Sequence, residues 1–137
     1  MKTRKALRLA TSVAMVTGGL AGCSTSHHPV DTGRINHIVL ITLNEASQSE
    51  ALMADCDRML ATIPSVTAYA CGPHVETGRT KAVNDRYTLG LLVSFDDMTG
   101  YKAYLQHPGH LALLEKWKPE FSELTIYDFG DASDAGG

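Results

Sequence analysis

The spacing of apolar residues changes period several times along the chain. In RINHIVLITL, residues 34 to 43, it alternates: Ile35, His37, Val39, Ile41 and Leu43 share one face, Ile38 and Leu40 the other. A strand apolar on both faces belongs in the middle of a sheet covered on both sides. After Ser47 the period lengthens. Leu52, Met53, Cys56, Met59, Leu60 and Ile63 recur at helical spacing, with Glu50, Asp55, Asp57 and Arg58 opposite. Ser47 followed by Glu50 reads as a capping box, and Pro64 as the stop. SVTAYACGPHVE reads as a shorter second strand and TGRTKAVNDR as a polar loop. YTLGLLVSF, 87 to 95, reads as a third strand in which Gly90 marks a bulge or a close approach. A second helical region starts within 96–99 and passes Tyr101, Tyr104 and Leu105; it is interrupted at Pro108 and runs on to the region of Lys118. ELTIYDF, 123 to 129, alternates as a last strand, and GDASDAGG is a tail.

The order β-α-β-β-α-β predicts an α+β domain of the ferredoxin-like kind, one antiparallel sheet with two helices on one face. Two helices cover only that face. The apolar residues on the other, Ile38 and Leu40 among them, need a second cover, and a second copy of the chain packed sheet to sheet supplies it. A homodimer is therefore expected.

The first 22 residues break this picture. Lys2, Arg4, Lys5 and Arg8 precede an apolar stretch that ends in small residues, the grammar of a secretory signal. LAGC, Leu20 to Cys23, resembles a bacterial lipobox, which would make Cys23 the lipidated first residue of the mature chain; an ordinary signal peptide ending at a cysteine is the alternative. The expected division is a lipoprotein signal over 1–22, a tether over 23–33, the domain over 34–130 and a tail over 131–137. The expected place is the cell envelope, at the outer membrane facing the periplasm, since Ser24 follows the cysteine. His27 and His28 sit in the tether, where two adjacent imidazoles do not make a metal site. Of the remaining cysteines, Cys56 and Cys71, a disulfide and two buried thiols both fit an oxidising compartment.

A net charge of -3 with 7% aromatic residues gives no support to nucleic-acid binding. Candidate chemistry concentrates in YLQHPGHLALLEKW, 104 to 117. His107 precedes proline and is pushed to extended geometry, while Pro108 suits the first helical position. The two histidines therefore leave one helical face, and a metal reading loses its basis. His110 opens a stripe with Leu114, Trp117 and Phe121 that turns it towards the sheet, at a helix start that favours the neutral ring. If the row containing His37 faces the helices, His37, Tyr104 and His110 converge at the end of an apolar cavity, the form of a small-molecule site. Core histidines satisfied by backbone are the plain alternative. Asp96 and Asp97 read as helix-capping charge, and TGRTK as a solvated loop.

INHIVLITL, IPSV, YTLGLLVSFDD, YLQHPGHLALLEKW and IYDF together resemble the stress-response A/B barrel (Dabb) family over roughly 34 to 130. The resemblance implies a monomer of ferredoxin-like fold that dimerises into an α+β barrel. One plant member closes a linear polyketide by an aldol reaction, and its catalytic Tyr and His match Tyr104 and His110, its strand-one His matching His37. In that scheme His110 is the general base, Tyr104 holds it or the developing enolate, and no cofactor is needed. The chain departs from that enzyme with Thr88 and Leu89 where it has a further histidine, and with Gly109 where alanine is frequent. Three readings stand: a lipid-anchored dimer binding a small apolar molecule, a cofactor-free lyase or cyclase, and a structural or protein-interaction module.

Overall fold

The structure, a computed structural model, describes residues 34–79 and 81–130. The signal, Cys23, the tether with His27 and His28, and the tail lie outside the described residues. The elements are β1 (Ile35–Leu43), α1 (Ser49–Met59), β2 (Ala68–Pro73), β3 (Leu89–Phe95), α2 (Met98–Gln106), α3 (Pro108–Trp117) and β4 (Phe121–Gly130), with short 3-10 turns at Ala46–Gln48 and Lys118–Glu120. The four strands form one antiparallel sheet in the order β2-β3-β1-β4. This is the ferredoxin-like arrangement, with the second helical region divided in two.

Strand alternation sorts the side chains as the sequence predicts. Ile35, His37, Val39, Ile41 and Leu43 are buried towards the helices and meet Phe95, Val93, Leu91 and Leu89 across the β1/β3 ladder. Leu52, Cys56 and Leu60 of the first helical region, with Tyr104, Leu113 and Trp117, close this core. On the far face, Ile38 is registered with Leu92 and Tyr127, while Tyr127 and Phe129 stay 54% and 55% exposed. Among the described residues nothing covers this apolar sheet face.

Several local expectations are corrected. No capping box forms: a 3-10 turn takes Ala46–Gln48, and Gln48 stands at the N-cap of α1 without a side-chain bond. The α-helix ends at Met59, well before Pro64; the Ile63 and Val66 amides bond back to Leu60 and Ile63 and turn the chain towards β2. Leu113, not Leu114, holds the buried core position on α3.

Asp55 is the largest departure. Expected on the polar face of α1, it is buried, because α3 packs beside α1. Its Oδ2 accepts from Lys116 Nζ at 2.6 Å and Trp117 Nε1 at 2.9 Å, and its Oδ1 accepts from Arg58 Nη2 at 2.6 Å. Those bonds, from Lys116 first, hold its carboxyl well below the usual carboxylate range against the opposing effect of burial.

Candidate functional site

His107 joins the two halves of the second helical region. Its φ of -68° and ψ of 136° are the extended values that a following proline imposes. Its amide closes α2 on the Tyr104 carbonyl, and its Nδ1 accepts from the Gly109 amide at 3.1 Å, capping α3. Gly109 has a separate reason: a Cβ there would lie 2.6 Å from the Met59 carbonyl oxygen, where α3 starts against the end of α1. At the other end of this motif, Asp97 caps α2 by accepting from Gly100 N at 2.8 Å.

The bend at His107 places the His110 ring back over α2. Its Nδ1 lies 3.2 Å from the Leu105 carbonyl oxygen. A carbonyl only accepts, so Nδ1 carries the hydrogen and Nε2 is left as an acceptor in the neutral ring. Burial is the main cause that lowers its pKa below the ordinary 6.5; the Leu105 bond opposes it and the nearby His37 adds to it. The His110 and Tyr104 rings lie 4.6 Å apart between centroids, and Tyr104 and His37 6.1 Å. Burial also raises the Tyr104 hydroxyl pKa, keeping it a proton donor.

His37, Tyr104 and His110 are thus brought together, and two residues that sequence reasoning missed complete the group. Asp128 is the β4 residue registered with His37, and its Oδ1 is 2.6 Å from His37 Nδ1. Its Oδ2 accepts from the Tyr101 hydroxyl at 3.2 Å. Burial first, then the Asp128 charge, raises the Tyr101 pKa. The signal for Asp128 was present: Leu124, Ile126 and Asp128 form one alternating row, with a single carboxylate where the apolar pattern ends. Only the β1/β4 register sets it opposite His37.

These five side chains stand at the polar end of a cavity of about 290 Å³ between sheet and helices. The rest of its wall is apolar, from Val39, Ile41 and Leu91 on the sheet to Leu60, Leu105, Leu113 and Leu114 on the helical side. It opens along the sheet edge. Leu124 and Ile126 of β4 face the helices in register with Ile41 and Val39, yet remain 42% and 47% exposed. α1 lies over β2 and α2 over β3, and among the described residues no helix covers β4 to that extent. A hollow beside His74 and Arg79, of about 10 Å³, has room for nothing larger than water.

Among the described residues no group of three or more His, Cys, Asp or Glu side chains is placed to hold a metal ion, and no helix is long and apolar enough to cross a membrane. Cys56 and Cys71 are free thiols, Cys56 buried and Cys71 half-buried.

The β-α-β-β-α-β order and the single antiparallel sheet define the ferredoxin-like α+β class of domains. The model of the stress responsive A/B barrel domain, Dabb, matches residues 35–131, and the chain belongs to that family. Among solved structures it is similar to a Dabb family protein with a ferredoxin-like fold from Mesorhizobium loti, at 27% identity and a TM-score of 0.60, covering 72% of this chain and 97% of that one. A dimeric ferredoxin-like protein of unknown function from Thermobifida fusca shares 25% identity, with a TM-score of 0.60 over 72% of this chain and 92% of that one. The hydroxynitrile lyase of Passiflora edulis shares the fold at 14% identity, with a TM-score of 0.62 over 73% of this chain and 94% of that one. Among curated proteins no sequence reaches a significant match.

Proposed function

We propose that this chain is an envelope-anchored homodimer that binds a small, largely apolar molecule in the cavity between sheet and helices. The observation that carries the reading is the cavity itself: about 290 Å³, walled mostly by aliphatic side chains, open along β4, with Tyr104 and His110 at its polar end. Binding sites for small molecules have this composition, an apolar body and a few convergent polar groups. The bound molecule places its apolar part against Leu105, Leu113 and Leu114. An oxygen at its other end accepts from the Tyr104 hydroxyl or donates to His110 Nε2. The apolar outer sheet face supports the dimer, as does the dimeric relative from Thermobifida fusca. Anchoring through Cys23 rests on the LAGC sequence.

A second reading has a specific observation in its favour. The Tyr104–His110 ring separation of 4.6 Å, with His110 kept neutral, pairs a proton acceptor with a hydrogen-bond donor in a desolvated place. His110 Nε2 would take a proton from carbon beside a carbonyl, and the Tyr104 O–H would stabilise the enolate oxygen. No cofactor enters that chemistry. A lyase on the same fold, the Passiflora edulis enzyme, makes the reading concrete without assigning its substrate to this chain.

A thermal-shift screen of small apolar alcohols, ketones and phenols against the full chain tests the first reading. A hit that stabilises the wild type and fails with Leu114→Trp supports the cavity; hits that ignore that substitution contradict it. Turnover of the same compounds by wild type and His110→Ala tests the second, and equal rates remove the base assignment. Mass spectrometry of the mature N-terminus tests the anchor, which an unmodified Cys23 overturns.

A further inference from the structure

Neither cysteine lines the cavity, and neither reading above uses them. Cys56 is wholly buried on the core face of α1, four residues from both Leu52 and Leu60. Cys71 belongs to β2, the edge strand, in register with buried Leu91 and therefore on the helix-facing side. α1 packs on β2, so both side chains are turned into the contact between these two elements, where Cys71 packs against the core that holds Cys56. Beside them the Tyr69 hydroxyl donates to Asp57 Oδ1 at 2.8 Å, so α1 and β2 are already clasped next to the thiol pair.

We infer that Cys56 and Cys71 are a redox pair that closes to a disulfide between α1 and β2 when the chain meets a disulfide-bearing oxidant. The two sulfurs differ in access, which orders the steps. Half-buried Cys71 on the open sheet edge is the one an external disulfide reaches. The neighbouring Cys56 lowers the Cys71 pKa against the opposing effect of burial, while Cys71 first and then burial raise that of Cys56. With glutathione disulfide, the Cys71 thiolate attacks one sulfur, forming a mixed disulfide and releasing one glutathione thiolate, which takes up a proton. The Cys56 thiol then gives up its proton and attacks the Cys71 sulfur, releasing the second glutathione thiol. Two protein thiols and one glutathione disulfide become one protein disulfide and two glutathione thiols. Because Leu60, one turn beyond Cys56, lines the cavity, closure fixes the floor of the ligand site as well as the α1–β2 link. The inference itself does not depend on what that site binds.

The test uses the full chain with Cys23→Ser, equilibrated with glutathione disulfide, quenched in acid, unfolded and alkylated. The expected product is monomeric in covalent terms, two hydrogens lighter, without alkylated cysteine, and gives one peptide pair joined through Cys56 and Cys71. Its thermal midpoint rises by roughly 15 °C over the reduced form, as a closed loop of about 15 residues implies. With Cys56→Ala the reaction stops at a glutathione adduct on Cys71, and with Cys71→Ser no adduct forms on the buried Cys56. Alkylation of both thiols after oxidation, a wild-type product that stops at the Cys71 adduct, or a bond between two chains overturns the inference.

Discussion

Two aspartates, Asp55 and Asp128, are each bonded from more than one side, yet they do different things. Asp55 sits between α1 and α3 with both oxygens taken by Lys116, Trp117 and Arg58, and it does not line the cavity. Asp128 lines the cavity, half-exposed at its mouth, with one oxygen on His37 and the other on Tyr101. The first cluster consumes its hydrogen-bonding capacity internally and fixes two helices. The second leaves capacity unused: the bonds of His37 to Asp128 and of His110 to Leu105 take Nδ1 of each ring and leave Nε2 of each over. Unused polar capacity beside an apolar void is what distinguishes a site from a structural network.

Removing Asp55 should break this contrast with the largest effect. Asp55→Ala leaves the buried Trp117 indole N–H without an acceptor, while Lys116 and Arg58, which are exposed, return to water. A loss of about 2 to 3 kcal/mol is expected, read as a drop in urea midpoint with unchanged slope. Ligand affinity of the remaining folded protein should stay as it was.

Asp128→Asn should do the reverse. Stability changes by about 1 kcal/mol or less, because the group is half-exposed. Affinity for any cavity ligand should change several-fold, since the carboxylate that orients both His37 and Tyr101 is gone; calorimetric titration reads this. Tyr104→Phe removes one donor at the polar end and should weaken an oxygen-bearing ligand roughly tenfold, with an apolar analogue unaffected.

The smallest effect is the pH dependence, and its two arms separate the clusters. His110 has a folded pKa below 6.5, so the unfolded chain binds more protons as pH falls through that value, and stability is lost below it down to the folded pKa. Asp55 also has a lowered folded pKa, so its contribution is present above 3.8 and is lost as pH falls further. Urea midpoints between pH 7 and pH 3 should lose the upper arm in His110→Phe and the lower arm in Asp55→Asn.

Much of the fold was legible because alternation and helical period report burial directly. The β1 row with its buried His37, the break at Pro108 and the Asp97 cap were readable from neighbouring residues alone. The misreadings share a cause. Asp55 looked like a surface residue because its partners Lys116 and Trp117 are distant in sequence. Asp128 was unreadable as a partner of His37 because only strand register pairs them. Helix packing and strand register also decide that Leu113 fills the core while Leu114 is left for the cavity. Local pattern shows which face is apolar; it does not show where the apolar wall stops short of closing.

The most direct measurement is methyl NMR of the full chain under xenon pressure, because xenon enters apolar voids without needing a chosen ligand. The expected result is saturable shifts at the methyls of Leu105, Leu113 and Leu114, abolished by Leu114→Trp. Methyls that do not respond, or a response confined to Ile38 and Leu92 on the outer sheet face, would contradict an open apolar site between sheet and helices.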